Sequence, residues 1–416
     1  MPVELPIFRP SLPQPCPPKL ATWLWILLLV LIFSSIAVFF GLAGKIPIGT
    51  AWYWMCSLVF PSLAWCVTFG LRRHHFESQQ ERVAAERDVY HEERREAIEF
   101  GSEPLAVLWC SYLCAMGERE IAKKILADEV SMVERLTEDT FEDAVKNAHV
   151  DSLRLGINDY RFPPCFEALI SNVQGYVRSL PSALPLDVYI ALPAGSDDEL
   201  IINAWDRLWG EAGLSSLLSA KLLKPSVGVG ILDAWLDKRN VAGLERCALI
   251  VSAQFREYPE SEGSEAVTAT LLGWAPAIER YGLKPIAMVH RPVEVTAGSV
   301  AAAVDRASLW GSVKPSRIAS VWQAGLTKAD RQAVYSTFPI VERGHPSAYG
   351  APIFGDVDKA LGNIGVSAEW FAMLVAIEWL LVSGNVALLA CRSPESAMRL
   401  LIVKPVSSAG DGGTSV

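Results

Sequence analysis

Two long stretches without an ionisable side chain constrain this chain more than any other feature. Leu20 to Ala43 reads LATWLWILLLVLIFSSIAVFFGLA, and after Gly44 and Lys45 a second such run extends from Ile46 to Leu71. At 1.5 Å per residue, about two dozen residues make roughly 36 Å of helix, enough to cross a hydrocarbon core with some tilt. Trp52, Tyr53, Trp54 and Trp65 flank the second run, as aromatic rings do at headgroup level, and a kink at Pro61 is tolerable in lipid. The first run is far longer than the apolar core of a cleaved signal peptide. The expectation is a two-helix transmembrane hairpin, about residues 20–43 and 50–71.

Positive charge sets its orientation. Arg72 and Arg73, followed by His74 and His75, come after the second run; Arg9 and Lys19 precede the first, while the turn holds only Lys45. Both ends should therefore face the cytoplasm, including the Pro-rich segment 1–19. Residues 72–100 are dense in alternating charge and read as a solvated helical stalk. A coiled-coil pairing of such stalks would rest on a thin stripe, Val83, Val89 and Ile98. A formal net charge of −9 argues against nucleic acid as a partner. The eight cysteines show no zinc-type spacing and several lie in apolar runs, which predicts reduced, buried thiols and a reducing compartment.

Beyond the stalk, near-continuous apolar strands alternate with amphipathic helices. Strands are expected at 104–114, 186–193, 247–253, 266–274, 284–290, 386–392 and 397–404. Helices are expected at 118–130, 165–179, 198–211, about 230–238, 327–335 and 366–382. That alternation predicts an α/β layered fold over 101–404 with strands buried on both faces, an antiparallel last pair around Ser393-Pro394, and a disordered tail, 405–416.

Three segments, in order, resemble the thiolase-like superfamily and its β-ketoacyl synthases: PSVGVGILDAWLDKRNVAGLERCALIVSAQ (225–254), EGSEAVTATLLGWAPAIERYGLKPIAMV (262–289) and YGAPIFGDVDKALGNIGVSAEWFAMLVAIEWLL (349–381). The resemblance implies a layered αβαβα fold and a homodimer. It also implies a cysteine nucleophile within 226–230 and two histidines. Here 226–230 holds no cysteine, the second histidine falls on Val366, and His345 is displaced from the first position. A thiolate at a helix start needs backbone N–H groups around it and imidazoles to work with. No catalytic residue is therefore assigned; were the domain an enzyme, Ser226 and His345 would have to act.

Other constellations read as structure. Gly228 and Gly230 make a turn, with no phosphate-binding pattern around them. His290 ends a strand. His345, Glu342 and Asp356 match no metal or hydrolase spacing, so no metal and no cofactor is expected. Asp197, Asp198 and Glu199 cap a helix. Trp205, Trp209, Trp274, Trp310 and Trp322 fill the core.

The expected function is a non-catalytic adapter in a bacterial inner membrane, binding another protein through its cytoplasmic domain and lipid through its hairpin. Segment order is also similar to the type VI secretion lipase adapter family, which implies a secreted effector as the partner. The competing expectation is a membrane-bound acyltransferase or thioesterase acting on acyl thioesters or lipid precursors.

Overall fold

The structure, a computed structural model, describes residues 3–7, 17–41, 50–137, 140–148, 150, 160–214, 219–238, 241–256, 262–296, 299–338, 351–394 and 396–406. The chain divides into two units, residues 4–97 and the part from Ile98 onward. The proposed tail lies almost wholly outside the described residues, as do His345 and Glu342.

In the first unit, helix α1 (Leu20–Gly41) lies beside the start of α2 (Ala51–Ser102). A π-helical turn at Met55–Val59 opens the backbone of α2. Ser34 Oγ donates to the Ser57 carbonyl at 2.7 Å, and the hydroxyls of Ser35 and Ser57 are 2.9 Å apart. Ser57 is buried, whereas Leu24, Trp25, Phe33, Phe40, Leu63 and Val67 on the two helices are exposed. Trp65 donates its indole N–H to the Trp23 carbonyl at 2.9 Å and stacks on Phe69. Polar groups thus pair internally while apolar side chains face outward, the reverse of a water-soluble helix pair. By length and composition both helices can cross a membrane. The 42–49 turn lies outside the described residues. The second apolar run and the charged stretch after it form one continuous helix, with surface pairs such as Arg73–Glu77 and Glu92–Arg95 along it.

The second unit is built twice over. Its first half comprises β1 (Leu105–Cys114), a hairpin of β2 (Val133–Thr137) and β3 (Thr140–Asn147), α3 (Phe162–Ser179), β4 (Leu186–Ala191), α4 (Asp198–Glu211), β5 (Lys221–Leu222), α5 (Gly230–Leu236), β6 (Cys247–Gln254) and β7 (Ala266–Trp274). The second half comprises β8 (Ala287–Val289), β9 (Val293–Glu294), α6 (Val300–Trp310), β10 (Ser320–Ala324), α7 (Lys328–Thr337), β11 (Ile353–Asp356), α8 (Ala368–Ser383), β12 (Ala387–Cys391) and β13 (Arg399–Lys404).

Among the described residues, eleven strands form one mixed sheet whose path runs β11-β10-β12-β13-β8-β1-β7-β6-β4-β5, with β9 beside β13. Each half repeats the same pattern. β4, β5 and β6 are mutually parallel, β7 is antiparallel to β6, and β1 is antiparallel to β7. β10, β11, β12, β13 and β8 repeat those relations. β1 and β8 pair antiparallel at the join, Leu105 opposite Val289, so the halves are related by a pseudo-two-fold axis there.

Residue chemistry accounts for these elements. β6 and β7 are buried at every position, which fits two strands covered on both faces. α3 turns Phe162, Phe166, Leu169 and Val173 inward, and α4 turns in Trp205 and Trp209; Phe166 and Trp205 meet edge to face at 5.0 Å. Asp197 accepts the Leu200 N–H and so starts α4. α8 is apolar on every side and nearly sealed, packed on β10, β12 and β13 and also on β1 and β7. It is apolar enough to span a membrane, yet it is a core helix. Where the sequence suggests a helix over 118–130, only Ile121–Leu126 is helical; Asp128 sits at positive φ and ends it. α6, β10 and β11 carry no counterpart in the sequence reading. The two halves differ chiefly in their inner helix, seven residues in α5 against sixteen in α8.

Candidate functional site

The segment 225–230 enters α5, and its surroundings come from the opposite half of the domain. Glu369, at the start of α8, is fully buried and reaches back to it. Val229 N–H donates to Glu369 Oε2 at 2.6 Å, and Ser393 N–H, in the β12–β13 turn, donates to Oε1 at 3.0 Å. Arg399 Nη1 lies 3.6 Å from the same carboxylate and donates to the Val227 carbonyl at 3.0 Å. Ser393 Oγ closes the network by donating to the Pro225 carbonyl at 2.7 Å. Two backbone amides from separate loops therefore converge on one internal carboxylate. Burial pushes the Glu369 carboxyl above its ordinary range, while the Val229 amide, the Arg399 charge and the Ser393 amide oppose that rise.

Gly228 is required here. It sits at φ +45°, and a Cβ on it would overlap the Glu369 carboxylate. No side chain fits at that position while Glu369 holds the amides. Ser226 is exposed, and its hydroxyl has no hydrogen-bond partner among the described residues.

Val366 is buried and its N–H donates to Gln254 Oε1 at 3.2 Å, so this position is spent on packing. The hydroxyls beside it are also consumed: Ser252 and Thr268 lie 2.6 Å apart, Ser252 donates to Ser367 at 3.1 Å, and Ser367 donates to the Ala266 carbonyl. His290 follows β8 with Nδ1 3.2 Å from the Ser102 carbonyl, a satisfied strand-end histidine. Asp356 accepts the Lys359 N–H and pairs with Arg331 at 3.1 Å. Among the described residues no group of His, Cys, Asp and Glu could hold a metal. All seven cysteines among them are free thiols, and burial pushes those of Cys110, Cys114, Cys165 and Cys247 up to about 12, where a thiolate nucleophile is out of reach at neutral pH.

A cleft of about 690 Å³ opens beside this network, at the carboxyl ends of β10, β11 and β12. Open α/β sheets place ligands at such ends. Arg331, Asp356, Asp358, Arg392, Asn363 and Ser393 contribute to its walls, and its described lining contains no histidine or cysteine. Its three cations are already paired, Arg331 with Asp356, Arg392 with Asp330 at 3.2 Å and Lys359 with Asp128 at 2.8 Å. Asp358 accepts the Gly325 N–H at 3.0 Å, and burial pushes its carboxyl up to about 6. Glu369 and Asp358 were not singled out by sequence. The available signal for Glu369 was an acid in a strongly apolar helix, one of two there with Glu378.

No protein-family model matches the chain, and no curated protein does either. Solved structures do. A ketosynthase from module 1 of the bacillaene synthase of Bacillus amyloliquefaciens superposes with TM-score 0.53 at 12% identity, over 76% of this chain and 76% of that one. The PfaC keto synthase–chain length factor gives TM-score 0.51 at 11% identity, over 74% of this chain but only 43% of its own. A type II ketosynthase seen in complex with its acyl-carrier protein and a hexaketide gives TM-score 0.50 at 11% identity, over 74% of this chain. The α/β domain has the ketosynthase fold, that is, the thiolase-like fold. At these identities the likeness is one of fold.

Proposed function

We propose that this protein is a membrane-anchored binding protein whose ketosynthase-like domain has no acyl-transfer chemistry and holds another protein. The observation that carries the reading is Glu369 across the Val229 and Ser393 amides. Acyl transfer needs free N–H donors at the carbonyl oxygen that becomes an oxyanion, and a nucleophile next to them. Here the donors serve an internal carboxylate and the adjacent position is a glycine that the carboxylate keeps bare. Fold alone leaves function open, and a retained scaffold without reacting groups serves binding. The hairpin holds the domain at a bacterial inner membrane with both termini cytoplasmic. The segment order shared with type VI secretion adapters makes a secreted effector the partner class.

Intact-mass measurement of the full-length protein in lipid nanodiscs after incubation with acyl-CoA tests the chemistry. An unmodified mass is expected; a covalent acyl adduct that disappears in Ser226→Ala overturns the reading and restores the acyltransferase alternative. Fusion reporters after Lys19 and after Val406 test the placement: both should report cytoplasm, and a periplasmic signal from either refutes the hairpin orientation.

A further inference from the structure

One carboxylate in the wall of the cleft at the carboxyl ends of β10, β11 and β12 has no countercharge. Asp358 is half-buried there. Its Oδ1 accepts the Gly325 N–H at 3.0 Å, and the Leu326 amide adds to that support. Oδ2 takes no further hydrogen bond among the described residues, yet it is not sealed in the interior, and it opens on the cleft.

The cations that line the cleft are committed elsewhere. Arg331 bonds Asp356, Arg392 bonds Asp330 and Lys359 bonds Asp128. Arg331 acts on Asp358 without closing an ion pair, and Asp356 acts on it in the opposite sense. Among the described residues, five carboxylates thus meet three cations, and Asp358 and Glu262 are left over. Glu262 is exposed and solvated, whereas burial makes the open charge of Asp358 costly. A residue that lowers the stability of the empty protein while facing an open cleft is held there by binding rather than by folding.

The surroundings define the complement. It is a cation. Asp356 spends its oxygens on the Lys359 N–H and on Arg331, and among the described residues no group could hold a metal ion. The cation therefore comes on an organic stem, as an ammonium or a guanidinium. Met132, Leu326 and Pro394 offer apolar wall to the methylenes of such a stem. A cleft of about 690 Å³ is more than one side chain fills, which leaves room for the residues on either side of it.

We propose that this cleft binds a lysine or arginine side chain on an extended segment of the partner protein, with its cation on Asp358 Oδ2. The source of the cation rests on the binding-protein reading above, and the site adds the chemistry by which that partner is recognised. The net charge of −9 on the chain favours a basic partner.

The test uses full-length protein in nanodiscs of zwitterionic lipid, with empty nanodiscs as the blank and fluorescence anisotropy of labelled peptides as the readout. The probes are acetyl-Ala-Ala-Lys-Ala-Ala-amide and the same peptide with norleucine, which keeps the stem and lacks the ammonium. The lysine peptide should bind saturably and at least about tenfold tighter than the norleucine peptide. Asp358→Asn keeps an oxygen for the Gly325 N–H and should abolish that preference while raising the melting temperature, so the loss cannot be one of folding. Equal binding of the two peptides overturns the proposal, as does a preference that survives in Asp358→Asn, or no saturable binding at millimolar peptide. Competition by n-butylamine at concentrations equal to the peptide overturns a protein side chain as the source and assigns the site to a free amine. None of these outcomes depends on the acyl-adduct measurement, which judges the chemistry of the domain and not this cleft.

Discussion

Arg161 sends both terminal nitrogens of its guanidinium into the carboxylate of Glu265, Nη1 to Oε1 at 2.5 Å and Nη2 to Oε2 at 2.7 Å. The two side chains are 3% and 0% exposed. Glu265 also accepts the backbone N–H groups of Val150 and Arg256, both at 3.1 Å, and the guanidinium stacks over Phe255 at 4.7 Å. The pair pins the residue that precedes α3 to the residue that precedes β7. Its value lies in what happens when half of it goes: an unpaired buried charge costs far more than the intact pair contributes. Glu265→Ala and Arg161→Ala should each destabilise the domain by about 3–5 kcal/mol. The double variant should lose much less than the sum of the two. Chemical denaturation of nanodisc-held protein, followed by tryptophan fluorescence, reads both; simple additivity would remove the pair from its role.

The Glu369 network predicts chemical rescue. Glu369→Ala leaves the Val229 amide without an acceptor and the Ser393 amide with Ser396 Oγ alone, at an expected cost of about 1–3 kcal/mol. Formate is small enough to stand in for the lost carboxylate, so it should raise the melting temperature of Glu369→Ala and leave the parent unchanged. Equal response of both proteins to formate rules out a vacated anion hole.

Gly228 predicts a coupled pair. Gly228→Ala meets positive φ and a carboxylate in its path, so a loss of about 1–3 kcal/mol is expected. Removing the carboxylate as well, in Gly228→Ala with Glu369→Gly, should recover the steric part and leave the backbone part. A non-zero coupling energy in the double-mutant cycle is the outcome that supports their contact; strict additivity opposes it.

Asp358 and His290 give opposite pH slopes. The Asp358 carboxyl is raised from 3.8 to about 6 by burial, so the folded state binds the extra proton between those values and stability falls as pH rises through them. The His290 imidazole is lowered from 6.5 to about 4 by burial, so the unfolded state takes the proton first and stability falls as pH drops from 6.5 to 4. Each shift is worth at most about 3 kcal/mol, and within the overlapping window they offset one another. Asp358→Asn should therefore raise stability at pH 7 and steepen the acid loss, whereas His290→Gln should flatten the acid side. Melting curves from pH 4 to 8 decide it; parallel profiles for parent and Asp358→Asn would show that Asp358 does not titrate in this window.

The strands that the sequence revealed are those whose burial is written in consecutive apolar letters. CALIVSAQ and AVTATLLGW are covered on both faces, and ALLAC and RLLIVK form the closing pair. β10 and β11 escaped because SVWQA and IFGD are short and carry Gln323 and Asp356, residues that interrupt an apolar run. The β2–β3 hairpin, VERLT with TFEDAVKN, alternates charge in a manner that reads as solvated chain. The likeness to ketosynthases in segment order agrees with the fold. What replaces the family's reacting groups was not legible, since Glu369 meets Val229 across 140 positions of sequence. Contact at that distance is a property of the closed fold and leaves no local pattern.

The seam between the halves has a consequence for synthesis. β1 is made early, yet its neighbours on either side, β7 and β8, start at Ala266 and Ala287. At 5–20 residues per second the ribosome needs roughly 8–30 s to supply the first of them. For that interval the apolar run LAVLWCSYLC has neither edge paired. The nascent chain must shelter one of its stickiest segments until the middle of the polypeptide arrives, so the domain closes late, around the first strand it made.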